Sequence, residues 1–369
     1  MKRVLKVLLV LLIVVIVFGA GFILTLQLFE YRPDDLTNLE VTYTDVSTDN
    51  YLSLDSDIKV LTFNTGYASL SETEDFAMDG GEKGRMDTMA EVEANLTGIS
   101  SILTRESADI VLLQEVDVDS KRSYEINQLV NYQNVLGTSS VLAYNYRCIF
   151  VPFPFDLSQM MGKVNSGIAT FSEYYYDDAE RVQLPGSFSW PVSLANLKRC
   201  LLITRFTIED SDKELVVINV HLSAYDDGSM RLEETEALLA IMETEYDAGN
   251  YVVVGGDFNQ TFPDGVLDDS GDTVEYLFTL KDPLSWQAPP LISDGFTDSN
   301  FQFGVDSTTA TCRLLDKPLD LENDSNNQYY LIDGFIVSAN ISITSVETLD
   351  ESFKYSDHNP VVMHITLNS

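Results

Sequence analysis

The stretch YVVVGGDFNQ, residues 251–260, joins an apolar run to a short polar segment. Its first four residues favour β structure, and residues 251–256 predict a buried strand that ends with the two glycines. Asp257 and Asn259 follow directly. A Gly-Gly-Asp-Phe-Asn run is commonly no more than a turn. The segment therefore indicates chemistry only if other strand ends carry complementary polar groups.

Apolar runs of the same kind recur on both sides of this one and predict further strands. They are residues 58–63, 109–114, 167–172, 200–208, 214–220, 331–338 and 361–367. Two other segments, at 89–103 and 232–246, place apolar residues at steps of three and four, which predicts amphipathic helices. Many strands with a few intercalated helices predict a layered α/β or α+β domain.

Polar residues with metal-binding or acid–base chemistry stand where several of these runs stop. They are Asn64, Glu115, His221, Asp257, Asn259, Asp357 and His358. Taken singly, each has an ordinary explanation as a turn or a solvated strand edge. That explanation fails for the set, because the chain has only three histidines and two of them occupy such positions.

Asp333 lies inside the apolar run 331–337, where a lone carboxylate is costly to bury unless a partner satisfies it. A histidine is the natural partner, because an Asp–His pair orients the imidazole and makes it more basic. Glu115 and Asp357, with the carbonyl of Asn64, are oxygen ligands of the kind that Mg²⁺ or Mn²⁺ prefers. A hard cation, two histidines and amide donors predict a site that hydrolyses a phosphate ester.

Over about residues 58 to 367 the ordered motifs resemble the endonuclease/exonuclease/phosphatase superfamily, which includes deoxyribonuclease I, abasic-site endonucleases, neutral sphingomyelinases and inositol-polyphosphate 5-phosphatases. The motifs are Asn64, Gln114-Glu115, Asn219-Val220-His221, Gly256-Asp257-Phe258-Asn259, Ile332-Asp333-Gly334-Phe335 and Ser356-Asp357-His358-Asn359-Pro360. The resemblance implies a four-layer α-β-β-α sandwich with the site at one rim between the two sheets.

The resemblance also implies roles at the metal. Asn64 and Glu115 would bind Mg²⁺ or Mn²⁺ and orient the phosphate, and Asp357 would assist at the metal. It implies nothing about the substrate, because variable loops determine substrate choice in this superfamily.

Further roles implied by the resemblance concern the phosphate and the attacking water. His358, held by Asp333, would handle the water proton, while His221 and Asn259 would contact the phosphate. Asp257 would hydrogen-bond the phosphate or the water. Members of the superfamily differ over whether this aspartate or His358 is the general base, and both assignments stay open here.

The N-terminal segment predicts a membrane anchor. Lys2, Arg3 and Lys6 precede an uncharged run at 7–29, and about 20 apolar residues suffice to span a bilayer. The positive flank predicts that residues 1–6 remain in the cytoplasm and that the rest lies outside. A cleaved signal peptide is the alternative, and it too predicts export.

The remaining chain divides into two predicted parts. Residues 30–57 are acidic and rich in Thr, Ser and Asp, which is typical of a juxtamembrane stalk, although LEVTY at 39–43 could form a short strand on the main domain. Residues 58–369 form the predicted catalytic domain. Asn259-Gln260-Thr261 is an N-glycosylation sequon at a predicted catalytic position, which favours a bacterial cell surface over a eukaryotic secretory route.

The charge balance bears on the substrate. With 22 basic and 58 acidic residues the net charge is −36, which repels polyanions and disfavours nucleic acid as a partner. A phosphorylated small molecule or phospholipid is compatible, because a bound cation can reverse the sign locally. The sequence thus predicts a membrane-anchored extracellular phosphoesterase. The alternatives are a cell-surface nuclease and an inactive binding module, and retention of every metal and histidine position argues against the latter.

Two other features leave alternatives open. Cys148, Cys200 and Cys312 are too few and too scattered for a disulfide framework or a zinc site, and three buried free thiols are favoured over one disulfide. The aromatic-rich stretch 144–155, together with Tyr174–Tyr176, could line a substrate surface. Core and loop packing is its ordinary explanation.

Overall fold

The computed structural model describes residues 2–44, 50–226, 228–262, 286–291, 296 and 300–368. The helices are α1 (Lys2–Leu28), α2 (Met89–Glu106), α3 (Gln128–Leu136) and α4 (Ser229–Asp247). The strands are β1 (Leu36–Asn38), β2 (Asp57–Asn64), β3 (Ile110–Asp117), β4 (Ser139–Val151), β5 (Gly162–Ser172), β6 (Asp178–Gln183), β7 (Cys200–Thr207), β8 (Glu214–His221), β9 (Tyr251–Asp257), β10 (Phe301–Gly304), β11 (Cys312–Arg313), β12 (Tyr329–Tyr330), β13 (Asp333–Ser338), β14 (Ile341–Thr348) and β15 (Val361–Leu367).

Two large sheets form the centre of the domain. One has the strand order β1-β6-β7-β8-β9-β13-β10, and the other has the order β14-β15-β2-β3-β5-β4. Most neighbouring strands are antiparallel, but β2 pairs with β3 and β8 pairs with β9 in parallel. Because paired parallel strands end side by side, each sheet brings two carboxyl ends to one edge.

The sheets pack face to face and each carries helices on its outer face. The apolar core between the sheets includes Val60 and Leu112 of one sheet and Val217 and Val253 of the other. A second core joins β2 and β3 to α2 and α3, and a third joins β8 and β9 to α4. The result is a four-layer α-β-β-α sandwich, which confirms the predicted fold.

The run YVVV is continuously apolar because β9 is buried on both faces. Val253 points into the core between the sheets, whereas Val252 and Val254 pack on the α4 side. Gly256 follows at the point where β9 lies very close to β8. A Cβ atom there would lie 2.0 Å from the carbonyl oxygen of Val220, so glycine is required for β9 to pair with β8 up to its last residue.

The eight predicted strands and the two predicted helices are all present. The cysteines are buried and free, as expected. Several elements were not predicted, among them α3, β4, β6 and β14. The face of β14 that does not pack on the core is exposed, and such an edge strand lacks the continuous apolar run by which the central strands were recognised.

The segment 30–57, expected to be a stalk, pairs with the domain at several points. β1 pairs with β6 as an edge strand, Thr42 bridges to Ser140, and Leu52 bridges to Ile208. A fragment beginning at residue 58 would therefore lack an edge strand of the larger sheet. Residues 45–49 lie outside the described part of the chain.

Helix α1 covers the segment predicted to span a membrane, and it is long and apolar enough to do so. Most of its side chains are exposed, but Leu26, near its end, is buried against the domain. Polar contacts hold the junction. Trp190 Nε1 donates a hydrogen bond to Gln27 Oε1 (3.1 Å), and Lys198 Nζ pairs with Glu30 Oε1 (3.1 Å). The last turns of α1 are therefore fixed against the rest of the structure.

Candidate active site

The ends of four central strands meet at one rim of the sandwich. In the strand register Asn64 of β2 lies opposite Gln114 of β3, and His221 of β8 lies opposite Asp257 of β9. Asp333, the first residue of β13, lies opposite the same aspartate from the other side. The topology thus brings polar residues that are far apart in sequence to one edge.

Glu115 reaches this rim through an irregularity in β3. The register with β5 shifts between Leu113 and Val116, and Glu115 has a φ of 58°. A bulge of this kind re-aims a side chain, and left-handed backbone at a non-glycine residue is characteristic of functional sites. Asn259 at the same rim also has a positive φ, 51°.

Asp333 and His358 form a buried pair that joins the two sheets. His358 Nδ1 lies 2.8 Å from Asp333 Oδ2, and both residues are buried. Burial disfavours the imidazolium, but the adjacent carboxylate outweighs burial and raises the pKa of His358 well above its ordinary value. The other ring nitrogen, Nε2, lies 3.3 Å from the amide nitrogen of Asn64.

Asp257 lies at the centre of the cluster. Its Oδ2 atom accepts a hydrogen bond from Asn64 Nδ2 (3.0 Å) and lies 3.4 Å from His221 Nε2 and 3.8 Å from His358 Nε2. The two imidazoles therefore approach the same oxygen atom, close enough to share one phosphate. Burial, with a further contribution from the Asp333 carboxylate, raises the pKa of Asp257 to about 6.

His221 differs electrostatically from His358. Burial, helped by the positive charge of Arg199, lowers the pKa of His221 well below its ordinary value, so this imidazole is neutral at pH 7. Its Nδ1 atom is buried and makes no hydrogen bond within the described residues. Its Nε2 atom lies 3.9 Å from Glu115 Oε1. A neutral imidazole can donate a hydrogen bond to a phosphoryl oxygen without carrying a charge.

Asn259 is fixed by its own hydrogen bonds. Its backbone N–H donates to Asp257 Oδ1 (2.9 Å), and its side-chain Nδ2 donates to the Leu222 carbonyl (2.9 Å). The side chain is almost fully buried, and it lines the cavity that holds the two histidines. The rim therefore presents an ordered amide beside the neutral imidazole.

The residues expected at a metal fit a hard cation. Glu115 Oε2 is buried and has no hydrogen-bond partner among the described residues, and burial raises the pKa of Glu115. Burial also raises the pKa of Asp357 to about 6, with Glu115 adding to the effect and His358 opposing it. Two carboxylates that burial penalises in this way would be relieved by a divalent cation, with Asn64 as the third oxygen donor.

Gly66 gives Asp357 room beside this group. It has a φ of +51°, and a Cβ atom there would lie 2.8 Å from Asp357 Oδ1. Cys312 also lies close to Asp357 and His358, but burial raises the pKa of its thiol to about 12. The thiol is therefore protonated at neutral pH, and the oxygen atoms are the better ligands.

One cavity of about 560 Å³ collects this cluster. It is lined by Asn64, Glu115, His221, Asp257, Asn259, Asp357 and His358, while Asp333 lies behind His358. All the residues predicted from the strand ends therefore come together. The cavity extends beyond them to the last turns of α1.

Several cavity residues were not identified from the sequence. Arg199 donates from Nη1 to the carbonyl of His221 (3.1 Å) and forms no ion pair with any residue described, so its charge is available to an anion. Arg122 is instead neutralised by Asp117 and stacks 3.6 Å above the Tyr67 ring. In the sequence, Arg199 stands directly before the predicted strand 200–208, and no motif there marks it as functional.

The chain belongs to the endonuclease/exonuclease/phosphatase family, whose model matches residues 61–358. Members of this family are hydrolases that act on phosphoester bonds. Among curated proteins, none matches this chain in sequence.

Solved structures share the fold at low sequence identity. An endonuclease/exonuclease/phosphatase from Beutenbergia cavernae DSM 12333 is 16% identical, with 85% of this chain and 72% of that chain covered and a TM-score of 0.55. A family protein from Bacteroides thetaiotaomicron is 14% identical, with 85% of this chain and 99% of that chain covered and a TM-score of 0.51. The human Nocturnin catalytic domain, solved with a bound sulfate anion, is 14% identical, covering 89% and 98%, with a TM-score of 0.50.

Proposed function

We propose that this protein is a metal-dependent phosphoesterase that α1 anchors in a membrane, with the catalytic domain on the extracellular side. The observation that carries the proposal is the cluster at the rim, where the two imidazoles of His221 and His358 face the same carboxylate, Asp257. The substrate is a phosphate ester of a small molecule or a lipid. The basic residues before the apolar run support the orientation.

The metal would be held by Glu115, Asp357 and Asn64. When bound, Mg²⁺ or Mn²⁺ supplies a positive charge that polarises a phosphoryl oxygen and offsets the acidic site. Glu115 provides the carboxylate oxygen that has no other partner. Because Mg²⁺ retains several waters at sites with so few protein ligands, we expect binding to need ~millimolar metal ion.

The proton and the phosphate are assigned to different side chains. His358, with its Nδ1 held by Asp333, presents Nε2 to the cavity. The Asp333 carboxylate makes this imidazole more basic, and its neutral form takes the proton of the attacking water. Neutral His221 and the amide of Asn259 donate hydrogen bonds to the phosphoryl oxygens as charge develops on them. Asp257 accepts a hydrogen bond from the water or the protonated phosphate.

The test is a turnover panel with the full chain in detergent. The substrates are plasmid DNA, RNA, sphingomyelin, phosphoinositides and bis(p-nitrophenyl) phosphate, each with Mg²⁺ and with excess chelator. We expect metal-dependent hydrolysis of a small or lipid phosphoester and little nucleic acid cleavage, because the surface is strongly negative. Glu115→Gln is the matched inactive variant. Equal activity in chelator would contradict the metal assignment, and preferred cleavage of DNA or RNA would favour a nuclease.

A further inference from the structure

The cavity at the rim connects the candidate active site with the anchor helix. At its inner end are Glu115 and His358, and at its outer end it is lined by Phe22, Ile23 and Leu26 of α1. A molecule that filled this cavity would contact both the catalytic groups and the helix proposed to cross the membrane. A small polar ester would leave the outer end empty.

The outer part of the cavity, called here the apolar arm, runs between α1 and residues 151–155. Its lining residues are Phe22, Ile23, Leu26, Val151, Phe153 and Phe155. Leu26 and Val151 belong to one buried apolar cluster, so the wall of the arm is part of the packed junction with α1. An apolar arm that leads to a polar, metal-binding end matches an amphipathic substrate.

Large apolar side chains are exposed around the mouth of the arm. Phe155 is 86% exposed, Trp190 63% and Val192 53%, and all three lie next to the cavity or to the end of α1. The Phe22 ring packs edge-on against Phe150, with 6.0 Å between centroids. Such a patch is unfavourable in water, whereas aromatic side chains are typical of the membrane–water interface.

The length of α1 places this mouth at the bilayer surface. A helix of 27 residues is about 40 Å long, whereas the hydrocarbon core of a bilayer is about 30 Å thick. Its first strongly polar residue after the basic start is Gln27, which bonds Trp190. The last turns, which line the arm, therefore emerge at the interface.

We infer that the substrate is a membrane lipid that carries a phosphate ester, with a hydrocarbon chain in the apolar arm and the phosphoryl group between Glu115 and His358. The inference rests on the proposed function and narrows it to substrates drawn from the bilayer. In the reaction, water adds its oxygen to phosphorus and gives its proton to His358. The ester P–O bond breaks, and the leaving oxygen takes up the proton held by His358, which returns the imidazole to its neutral form.

The first test measures the dependence on chain length. The full chain in nanodiscs is assayed with p-nitrophenyl alkyl phosphates and with alkyl monophosphates, from methyl to octyl, each below its micellar concentration. We expect kcat/KM to rise about two- to fourfold per methylene as the chain fills the arm. Phe155→Asp should reduce the octyl-to-methyl ratio at least tenfold. Leu321→Asp, at an exposed leucine outside the cavity, is the matched control and should keep the wild-type ratio.

The outcomes separate the two proposals. A methyl ester hydrolysed as well as the octyl ester, or a ratio that falls equally in Phe155→Asp and Leu321→Asp, would overturn the lipid inference and leave the phosphoesterase intact. No metal-dependent hydrolysis of any ester in either series would overturn the proposed function, and the inference with it.

The second test locates the mouth without using activity. The chain has two tryptophans. Trp190 is exposed and bonds the end of α1, whereas Trp286 is partly buried and lines the cavity. With the full chain in vesicles of phosphatidylcholine brominated near the headgroup, we expect strong quenching that Trp190→Phe largely removes. Equal quenching before and after that substitution, or none in the wild type, would place the mouth away from the bilayer and overturn the inference.

Discussion

The imidazole of His358 and the carboxylate of Asp333 lie 2.8 Å apart, one in the loop before a strand of the smaller sheet and the other at the start of a strand of the larger sheet. β13, which begins at Asp333, is in the larger sheet, and His358 precedes β15 of the smaller one. Asn64 faces the other imidazole nitrogen with its amide group. A neutral His358 therefore carries its proton on Nδ1, toward the carboxylate, and keeps Nε2 as the acceptor. Packing of the two sheets thus assembles the base.

Asp333→Asn should impair turnover while preserving the fold. The substitution is isosteric, but an amide cannot stabilise the imidazolium that forms when His358 takes a proton. Positioned acid–base catalysis contributes about 10²- to 10⁴-fold, so we expect a loss of kcat in that range with a smaller change in KM. Steady-state kinetics on the best ester of the panel, beside circular dichroism and thermal unfolding, measures both.

The double variant tests whether the pair acts as one unit. His358→Ala should cost at least as much as Asp333→Asn, and the double variant should be scarcely worse than His358→Ala alone. Losses that multiply would show that the two residues act independently, and the pair would have to be abandoned as a catalytic unit.

A buried carboxylate beside the site predicts an unusual pH dependence of stability. Burial raises the pKa of Asp79 to about 6, although Tyr225 Oη and the N–H of Leu315 donate hydrogen bonds to it. Because the folded-state pKa is above the unfolded value, the folded state binds the proton more tightly. The stabilisation from this group is complete below pH ~4 and is lost as pH rises through about 6.

Asp79→Asn removes this proton linkage. Between pH 5 and pH 7, the free energy of unfolding of the wild type should fall by about 1 kcal/mol relative to the variant. Urea denaturation of both proteins in chelator, at several pH values across this range, gives the comparison. If the difference in free energy of unfolding between the two proteins stays constant from pH 5 to pH 7, Asp79 titrates normally.

The sequence predicted the parts of the site that depend on apolar runs. The rim was predictable because each run that forms a central strand ends at a polar residue, such as Asn64 or His221, and because Asp333 needed a buried partner. The bulge that re-aims Glu115 was not, since a positive φ at a glutamate leaves no mark in the pattern of apolar residues. Arg199 carried no motif, and only the tertiary structure shows that it faces the cavity.

The contrast between features marked by apolar runs and features set by tertiary structure also explains the segments whose structure the sequence did not determine. β1 pairs with β6 through backbone hydrogen bonds, and the three residues that form it, LTN, show no pattern. In the aromatic stretch 144–155, alternation was obscured because Tyr146 is buried in the core whereas Phe155 is exposed at the cavity mouth. Packing therefore explains Tyr146, whereas a substrate surface stays a prediction for Phe155.

Gln114, which lies opposite Asn64 at the rim, should also stabilise the fold. Its Nε2 donates to Asn219 Oδ1 (2.8 Å) across the two sheets, and Asn219 donates in turn to Ala169 O (2.9 Å). Gln114→Ala leaves buried polar groups without partners, which costs about 1–3 kcal/mol each. We expect the free energy of unfolding to fall by about 2–4 kcal/mol.

The control for Gln114 is Gln133→Ala. Gln133 Nε2 also donates a hydrogen bond, to Thr42 O, but at an exposed position, so its loss should cost less than about 1 kcal/mol. Urea denaturation with a constant m-value compares the two variants. Equal effects would show that the bridge between the sheets contributes no more than a surface hydrogen bond.

The last prediction concerns Glu115 and metal binding apart from turnover. Ligands that bind only the folded state stabilise it by RT ln(1 + [L]/Kd), about 1.4 kcal/mol at ten times Kd. Millimolar Mg²⁺ or Mn²⁺ should therefore raise the Tm of the wild type. Glu115→Gln should abolish that rise, because a carboxamide cannot supply the second carboxylate oxygen, Oε2, that is now without a partner.

In chelator the same substitution should be neutral or stabilising, since burial penalises the Glu115 carboxylate and nothing in the described structure bonds its Oε2 atom. The matched control is Asp119→Asn, which removes a half-exposed carboxylate paired with Lys163 outside the cavity. It should keep the full metal-induced rise in Tm. An equal rise in all three proteins would place the cation elsewhere, whereas loss in Glu115→Gln alone would assign the site to the bulge in β3.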